Sequence, residues 1–188
     1  MLDACRVRPE DAPKDYKRLV VGVDPSGGVG NANAECGIIA AGAADDDHCY
    51  IIDDRSARLM PHAWGQRVFA AYHDHRADRV CVEVNFGAAM VTNTLRSIDP
   101  YVPVREVSAS RGKRVRAEPV SSLFQQRRCH LLGFFDALEE QLATWVPDES
   151  KVSSDRLDAM VWCVSELMLK PPKRYVERAG PPIAIYQR

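Results

Sequence analysis

Four carboxylates stand out by position. Asp24 closes the apolar run "RLVVGVD", Glu83 closes "RVCVE", and Asp155 and Asp158 lie three residues apart in "SSDRLDAMVWCV". A charged side chain costs several kcal/mol to bury unless something pairs with it. Glu83, at the end of a buried run, therefore needs either water or a partner cation. Each aspartate taken singly has an ordinary explanation. "DPSGG" is turn sequence, and an aspartate in the first turn of a helix suits the helix dipole. Turn chemistry does not ask for glutamate, so Glu83 is harder to explain that way. Carboxylates a few ångströms apart raise one another's pKa values unless cations relieve them. Oxygen-only ligands suit Mg²⁺ or Mn²⁺ rather than zinc. Two such ions about 3.5–4 Å apart can activate a water and stabilise the leaving oxygen in phosphodiester hydrolysis.

This chemistry needs elements that bring the four groups together. Residues 18–24 read as a strand ended by Pro and Gly. "CGIIAAGAA" and "HCYIIDDRS" read as two further strands joined as a hairpin through "DDD". The period then changes, and Ala63, Val68, Ala71 and Tyr72 suit one face of a helix. "RVCVEVN" is a fourth strand, "GAAMVTNTLRSI" a helix and "VPVREVSA" a fifth strand. "KRVRAEPVSSLFQQRR" is a helix interrupted or restarted at Pro119, "CHLLG" a brief extended piece, and "FFDALEEQLATWV" an amphipathic helix. "SSDRLDAMVWCVSELML" is the last helix, with Ser153 or Ser154 as N-cap. The expected fold is α/β: a mixed five-stranded sheet with helices on both faces. If the first and fourth strands are neighbours, Asp24 and Glu83 project from the same edge. A helix start bringing Asp158 alongside completes the cluster, and Asp155 shares its face.

Composition sets bounds on this reading. The 188 residues suffice for one domain with a good core. Hydrophobic residues make up 46% and charged residues 27%, with a net charge of -1, so any contact with nucleic acid must use a local patch. The six cysteines show no C-x-x-C pair and lie mostly in apolar runs, which predicts reduced core thiols in an intracellular protein. No run is long enough to span a bilayer, and no membrane association is expected. Residues 1–18 read as a lead-in, 19–170 as the domain, and 171–188 as a basic, Pro-rich tail. "HDH" at 73–75 reads as solvent-exposed polar residues, and His130 as a packing residue. Trp64, Trp145 and Trp162 read as helix faces packed on the sheet, while Ser26 and Asn85 adjoin the carboxylates and could orient a ligand.

The stretches "VVGVDPSGG", "VCVEVNFGAAM", "RAEPVSSLFQQRRCHLLGFFDALEEQLATW" and "SSDRLDAMVWCVSEL" follow one another over most of residues 19–169. In this order they resemble the C-terminal nuclease domain of the large terminase subunit of tailed bacteriophages, which has an RNase H-like fold. The resemblance implies Asp24, Glu83 and Asp158 as metal-binding catalytic carboxylates, with Asp155 in an auxiliary role. It implies two Mg²⁺ or Mn²⁺ ions and double-stranded DNA as substrate. It also implies the packaging ATPase domain, the small terminase subunit and the portal as partners, and the host-cell cytoplasm as location. Arg111, Lys113, Arg114 and Arg116, with Arg127 and Arg128, form the densest basic segment. Such residues contact phosphates and position a duplex without reading its sequence. The family places this region near the active-site groove, which favours Lys113 and Arg116 as DNA contacts.

One departure bears on activity. "RGKRVR" has the Gly-Lys of a phosphate loop but neither its first glycine nor its Ser/Thr, so no ATPase motor is expected here. The chain looks like an isolated nuclease domain, an excised fragment or a split gene product. Two other RNase H-like enzymes stay open: a Holliday-junction resolvase and a transposase-type nuclease. A non-catalytic packaging or interaction module is a further alternative. A sugar-kinase or actin-like ATPase would need a duplicated domain, for which the chain is too short.

Overall fold

The structure is a computed structural model that describes residues 2–25, 35–85, 88–109, 112–146 and 154–169. Among these residues lie the strands β1 (Arg6–Val7), β2 (Arg18–Asp24), β3 (Glu35–Ala43), β4 (Cys49–Asp54), β5 (Ala57–Arg58), β6 (Arg79–Glu83), β7 (Val104–Val107) and β8 (Cys129–Leu132). The helices are α1 (Pro61–Asp74), α2 (Ala88–Ile98), α3 (Lys113–Gln125), α4 (Asp136–Thr144) and α5 (Asp155–Val164), which runs on as a π-turn over Ser165–Leu169.

The sheet order is β1-β8-β4-β3-β2-β6-β7, with β5 paired to β3. β2, β3 and β4 form an antiparallel meander, whereas β6 runs parallel to β2 and β7 parallel to β6. The five expected strands are thus contiguous, β4-β3-β2-β6-β7, and end at the β7 edge of an eight-stranded mixed sheet. Three additions were not expected as strands, the two-residue β5 among them. "CHLLG" is a full neighbour of β4, pairing Cys49 with Cys129 in parallel. Arg6 and Val7, inside the expected lead-in, pair with Leu131 and Leu132. Cys5 is buried there, and Arg6 is held by Glu139 at 2.7 Å. Helix α3 runs unbroken through Pro119. Val115, whose carbonyl loses its helical donor to that proline, lies on the exposed side with Pro119, so water can satisfy it.

Both faces of the sheet are covered, which is why its central strands read as unbroken apolar runs. Val21, Val23, Ile38, Ala40, Val80 and Val82 pack against α1 and α2. Val20, Ile39, Ala41 and Ile51 pack against α3, α4 and α5. Side chains alternate along a strand. Gly22 and Asp24 therefore share the α5 face with Val20, and Cys81 and Glu83 point the same way.

Two glycines let α5 sit unusually low on that face. A Cβ on Gly22 would collide with the Ala159 carbonyl and the Cys163 sulfur, and one on Gly37 with the Asp155 carbonyl. Glycine inside a strand marks such a close backbone approach. All six thiols are free and buried. Among the described residues no helix is long and apolar enough to cross a membrane.

Candidate active site

The parallel register of β2 and β6 pairs Val23 with Val82, so the next step along each strand sets Asp24 beside Glu83. On the other side Asp24 is paired with Gly37 of β3, and the start of α5 lies over that glycine. Three elements thereby deliver four carboxylates to one end of the sheet. Asp155 and Asp158 are both buried, at 8% and 5% exposure. Asp155, although in the first turn of the helix, is no more mobile a tip residue than Asp158, because the helix start is pressed against β3. Ser154 occupies the N-cap position, its carbonyl accepting from Asp158 N at 2.9 Å, but its side chain makes no cap bond. The Ser154 hydroxyl is directed to Lys113 and to Asp158 Oδ2 instead.

Electrostatics mark the site as short of positive charge. Burial pushes the Asp24 carboxyl well above the usual carboxylate range, and Asp158, Glu83 and Asp155 push it further, against the opposing pull of Lys113. Burial also raises Asp158, and Glu83 adds to this, while Lys113 and Arg116 work to lower it. Lys113 forms an ion pair with Asp158 Oδ2. Arg116 reaches Glu83 Oε2 at 3.4 Å and Asp158 Oδ1 at 3.8 Å. Among the described residues no group of three carboxylates, histidines or cysteines is close enough together to hold an ion as it stands. The two basic side chains stand among the carboxylates where a metal ion would otherwise balance them.

The basic residues separate into two places. Lys113 and Arg116 turn inward to the carboxylates, and Arg114 is exposed on the same turn of α3. Arg127 and Arg128 follow the far end of α3, whose 13 residues span about 20 Å. Arg128 there donates to the Asp47 carbonyl at 3.2 Å. The fold does not bring them to the carboxylates. Arg111 and Ser26 lie outside the described residues. Asn85 donates to Glu83 Oε1 and accepts from Ala109 N at 2.8 Å, so it braces that carboxylate against the strand β7 exit. His75 bonds Asp53 at 2.8 Å and His130 bonds His48 at 2.9 Å, both away from the site.

Sequence reasoning passed over Trp162. It was expected to be a packing residue, yet its indole N–H donates to Glu83 Oε2 at 2.6 Å, and the Arg116 guanidinium lies 4.7 Å from the ring centre. Its spacing from Asp155 and Asp158 carried the signal: residues 155, 158 and 162 share one helical face. Gly22 and Gly37 were also passed over, although glycine at alternate positions leading to Asp24 and across from it is what a close helix requires.

A family model for the terminase RNase H-like domain matches residues 21–167. The chain belongs to this family. The match runs from β2 to the π-turn after α5 and so contains all four carboxylates. The terminase domain also resembles solved structures. The large terminase nuclease of the thermophilic phage G20c with bound magnesium is 11% identical, with a TM-score of 0.66, over 88% of this chain and 94% of that one. The HK97 bacteriophage large terminase is 13% identical at a TM-score of 0.64, and the match covers 87% of this chain and 42% of that longer one. T. thermophilus RuvC in complex with a Holliday-junction substrate is 15% identical at 0.52, over 81% and 94%. At such identities the likeness is one of fold, and it agrees with the RNase H-like sheet expected from the sequence. A sequence search of curated proteins finds no match.

Proposed function

We propose that this terminase domain is a metal-dependent endonuclease that cuts concatemeric double-stranded DNA during phage genome packaging. One observation carries the reading: Asp24, Glu83, Asp155 and Asp158 converge from three elements, and among the described residues Lys113 and Arg116 reach in among them as counter-charges to Glu83 and Asp158. The donor set fits a hard divalent cation, since it is all carboxylate oxygen and its members disfavour one another's ionisation. Asp24, Glu83 and Asp158 would hold Mg²⁺ or Mn²⁺, two ions in the full site, with Asp155 auxiliary. Such ions supply an activated water and stabilise the leaving oxygen.

The chain's own residues do the rest. Glycines 22 and 37 fix the helix that carries the two aspartates. Lys113 and Arg116 keep the carboxylates from repelling one another before an ion arrives. Arg116 reaches Glu83 and Asp158 only at 3.4 and 3.8 Å, so its terminal nitrogens could turn to a phosphate oxygen once an ion balances the carboxylates. The exposed Arg114 extends the basic edge outward. No ATPase motor is assigned to this chain.

Domain limits and partners belong to the same proposal. Residues 19–170 form the nuclease unit, with residues 6–7 adding a strand from the lead-in and 171–188 a tail. The packaging ATPase domain, the small subunit and the portal are its expected partners, in the host-cell cytoplasm. Plasmid cleavage with Mg²⁺, Mn²⁺ and EDTA side by side tests the activity. Asp24→Ala and Glu83→Ala should abolish cutting with the fold intact. Cutting at the wild-type rate by both variants would sink the assignment, and a strong preference for a four-way junction over plasmid would favour the resolvase reading.

A further inference from the structure

We propose that Trp162 is a positioning residue for the metal site, one that sets the place of Glu83 relative to Asp158 through its indole N–H. The inference rests on the reading of Glu83 and Asp158 as metal ligands. Glu83 is the last residue of β6, and its side chain has three rotatable bonds. Asn85 and Arg116 also touch it, but the amide of Asn85 sits on the chain just past the strand, and Arg116 ends a long flexible stem. Trp162 differs from both. It is buried, at 8% exposure, and belongs to α5 one turn after Asp158. An indole nitrogen is a donor only, and a buried one needs an acceptor. The acceptor it has is Glu83 Oε2, at 2.6 Å. The helix that carries Asp158 thus also grips Glu83, and the separation of the two carboxylates is set by a rigid element. The bond uses one lone pair of Oε2; with Asn85 on Oε1 and Arg116 at 3.4 Å from Oε2, a cation would take the free lone pair of Oε1 or the place of Arg116. The ring has a second use, as the face under the Arg116 guanidinium, which itself reaches towards both carboxylates.

Mg²⁺ binding to the purified protein, without DNA, tests this by calorimetry and by tryptophan emission. Trp162→Phe keeps an aromatic ring at this position and removes the donor, together with part of the indole's packing. Loss of a group that orients a ligand costs roughly 10–100-fold in metal affinity, so Mg²⁺ should bind at least tenfold more weakly to a variant that a thermal melt shows to be folded. In the wild type, Mg²⁺ should alter the emission of Trp162, and the change should vanish in Trp162→Phe and in Glu83→Gln. If Trp162→Phe folds poorly, Trp64→Phe and Trp145→Phe assign the emission change instead: it should persist in both and vanish in Glu83→Gln, and its loss in either would overturn the role of Trp162. Mg²⁺ affinity equal to wild type in Trp162→Phe, with binding lost in Glu83→Gln, would overturn the role of Trp162 alone. Undiminished binding in Glu83→Gln would overturn the metal-site reading itself, and this inference with it.

Discussion

Two groups of buried charge lie at opposite ends of the same sheet, and their balance runs in opposite directions. Where β2 and β6 end, Asp24, Glu83, Asp155 and Asp158 face Lys113 and Arg116. Where the same strands begin, Glu166 from the π-turn is only 2% exposed. It is held by Arg18 at 3.2 Å, Arg79 at 3.3 Å and Arg105 at 2.8 Å. One end has carboxylates in excess, the other cations. The arginines at the Glu166 end are each about a third exposed, so water meets their surplus charge while the carboxylate is fully served. That arrangement satisfies its carboxylate and leaves Arg79 Nε buried without an acceptor. The carboxylate end has the opposite defect, with its surplus on the buried partners, and either a retained proton or an added cation relieves it. Burial and ion pairing are common to both ends; the sign of the imbalance distinguishes a lock from a site.

The largest expected effects test that sign directly. Asp24→Asn should remove cleavage and yet stabilise the metal-free protein. The folded pKa of Asp24 lies well above its unfolded value, chiefly through burial and then through its acidic neighbours. A raised carboxyl pKa makes the unfolded chain give up its proton first. Stability is then lost as pH rises from the ordinary carboxylate range through the raised folded pKa. In EDTA the wild-type melting temperature should therefore fall across that window, and Asp24→Asn should flatten the fall. An unchanged pH profile in the variant would mean that Asp24 is not under the strain described.

The same chemical change at the other end should go the opposite way. Glu166→Gln leaves three arginines without their common anion. Removing one partner of a buried ion pair costs about 3–5 kcal/mol, and the partial exposure of the arginines puts the expected loss near the low end, about 3 kcal/mol. Urea denaturation measures it. Cleavage per folded molecule should be preserved, because the group is a sheet's length from Asp24. A gain in stability, or a dead but folded variant, would break the contrast between the two ends.

Much of this was legible from the sequence, and the limits have physical reasons. Apolar runs and their turn signals imply the five contiguous strands, and the meeting of Asp24 with Glu83 follows once the first and fourth strands are neighbours, as the β2–β6 pairing makes them. The pairing of β1 with β8 was not legible, because two residues carry no period. Pro119 suggested a break that the exposed side of α3 tolerates. Arg127 and Arg128 were grouped with Lys113 by density of charge, and a helix separates them in space. Trp162 was hidden because a tryptophan packs and donates at once, and only the packing is visible in a hydrophobic run.

A smaller effect separates the two aspartates of α5. Both are buried, yet Lys113, Arg116 and Ser154 all address Asp158. Asp158→Asn should remove activity and weaken Mn²⁺ binding. Asp155→Asn should retain measurable cleavage and lose a few tenths of a kcal/mol from the helix dipole. Calorimetric Mn²⁺ titration and a thermal melt of each variant decide. A dead Asp155→Asn beside an active Asp158→Asn would move the ligand one turn earlier.

The smallest effect concerns the cation that stands in for metal. Lys113 pairs with Asp158 while remaining 36% exposed, on a four-carbon stem that can swing outward. An ion pair with one end in water is worth at most about 1 kcal/mol. Displacing it therefore weakens ion binding by no more than about fivefold. Lys113→Met should then bind Mg²⁺ up to about fivefold more tightly in the absence of DNA, as a competitor has been removed. With DNA present the released ammonium has a phosphate to meet, and the variant should lower the salt slope of binding by about one unit. Arg128 supplies the control at the far end of α3, where it serves the Asp47 carbonyl. Arg128→Met should leave Mg²⁺ affinity unchanged, and its salt slope shows whether that end of the helix touches DNA at all. Weaker Mg²⁺ binding in Lys113→Met would make Lys113 a supporter of the ion rather than its substitute, and the excess of negative charge at this end would then have to be met with Lys113 in place.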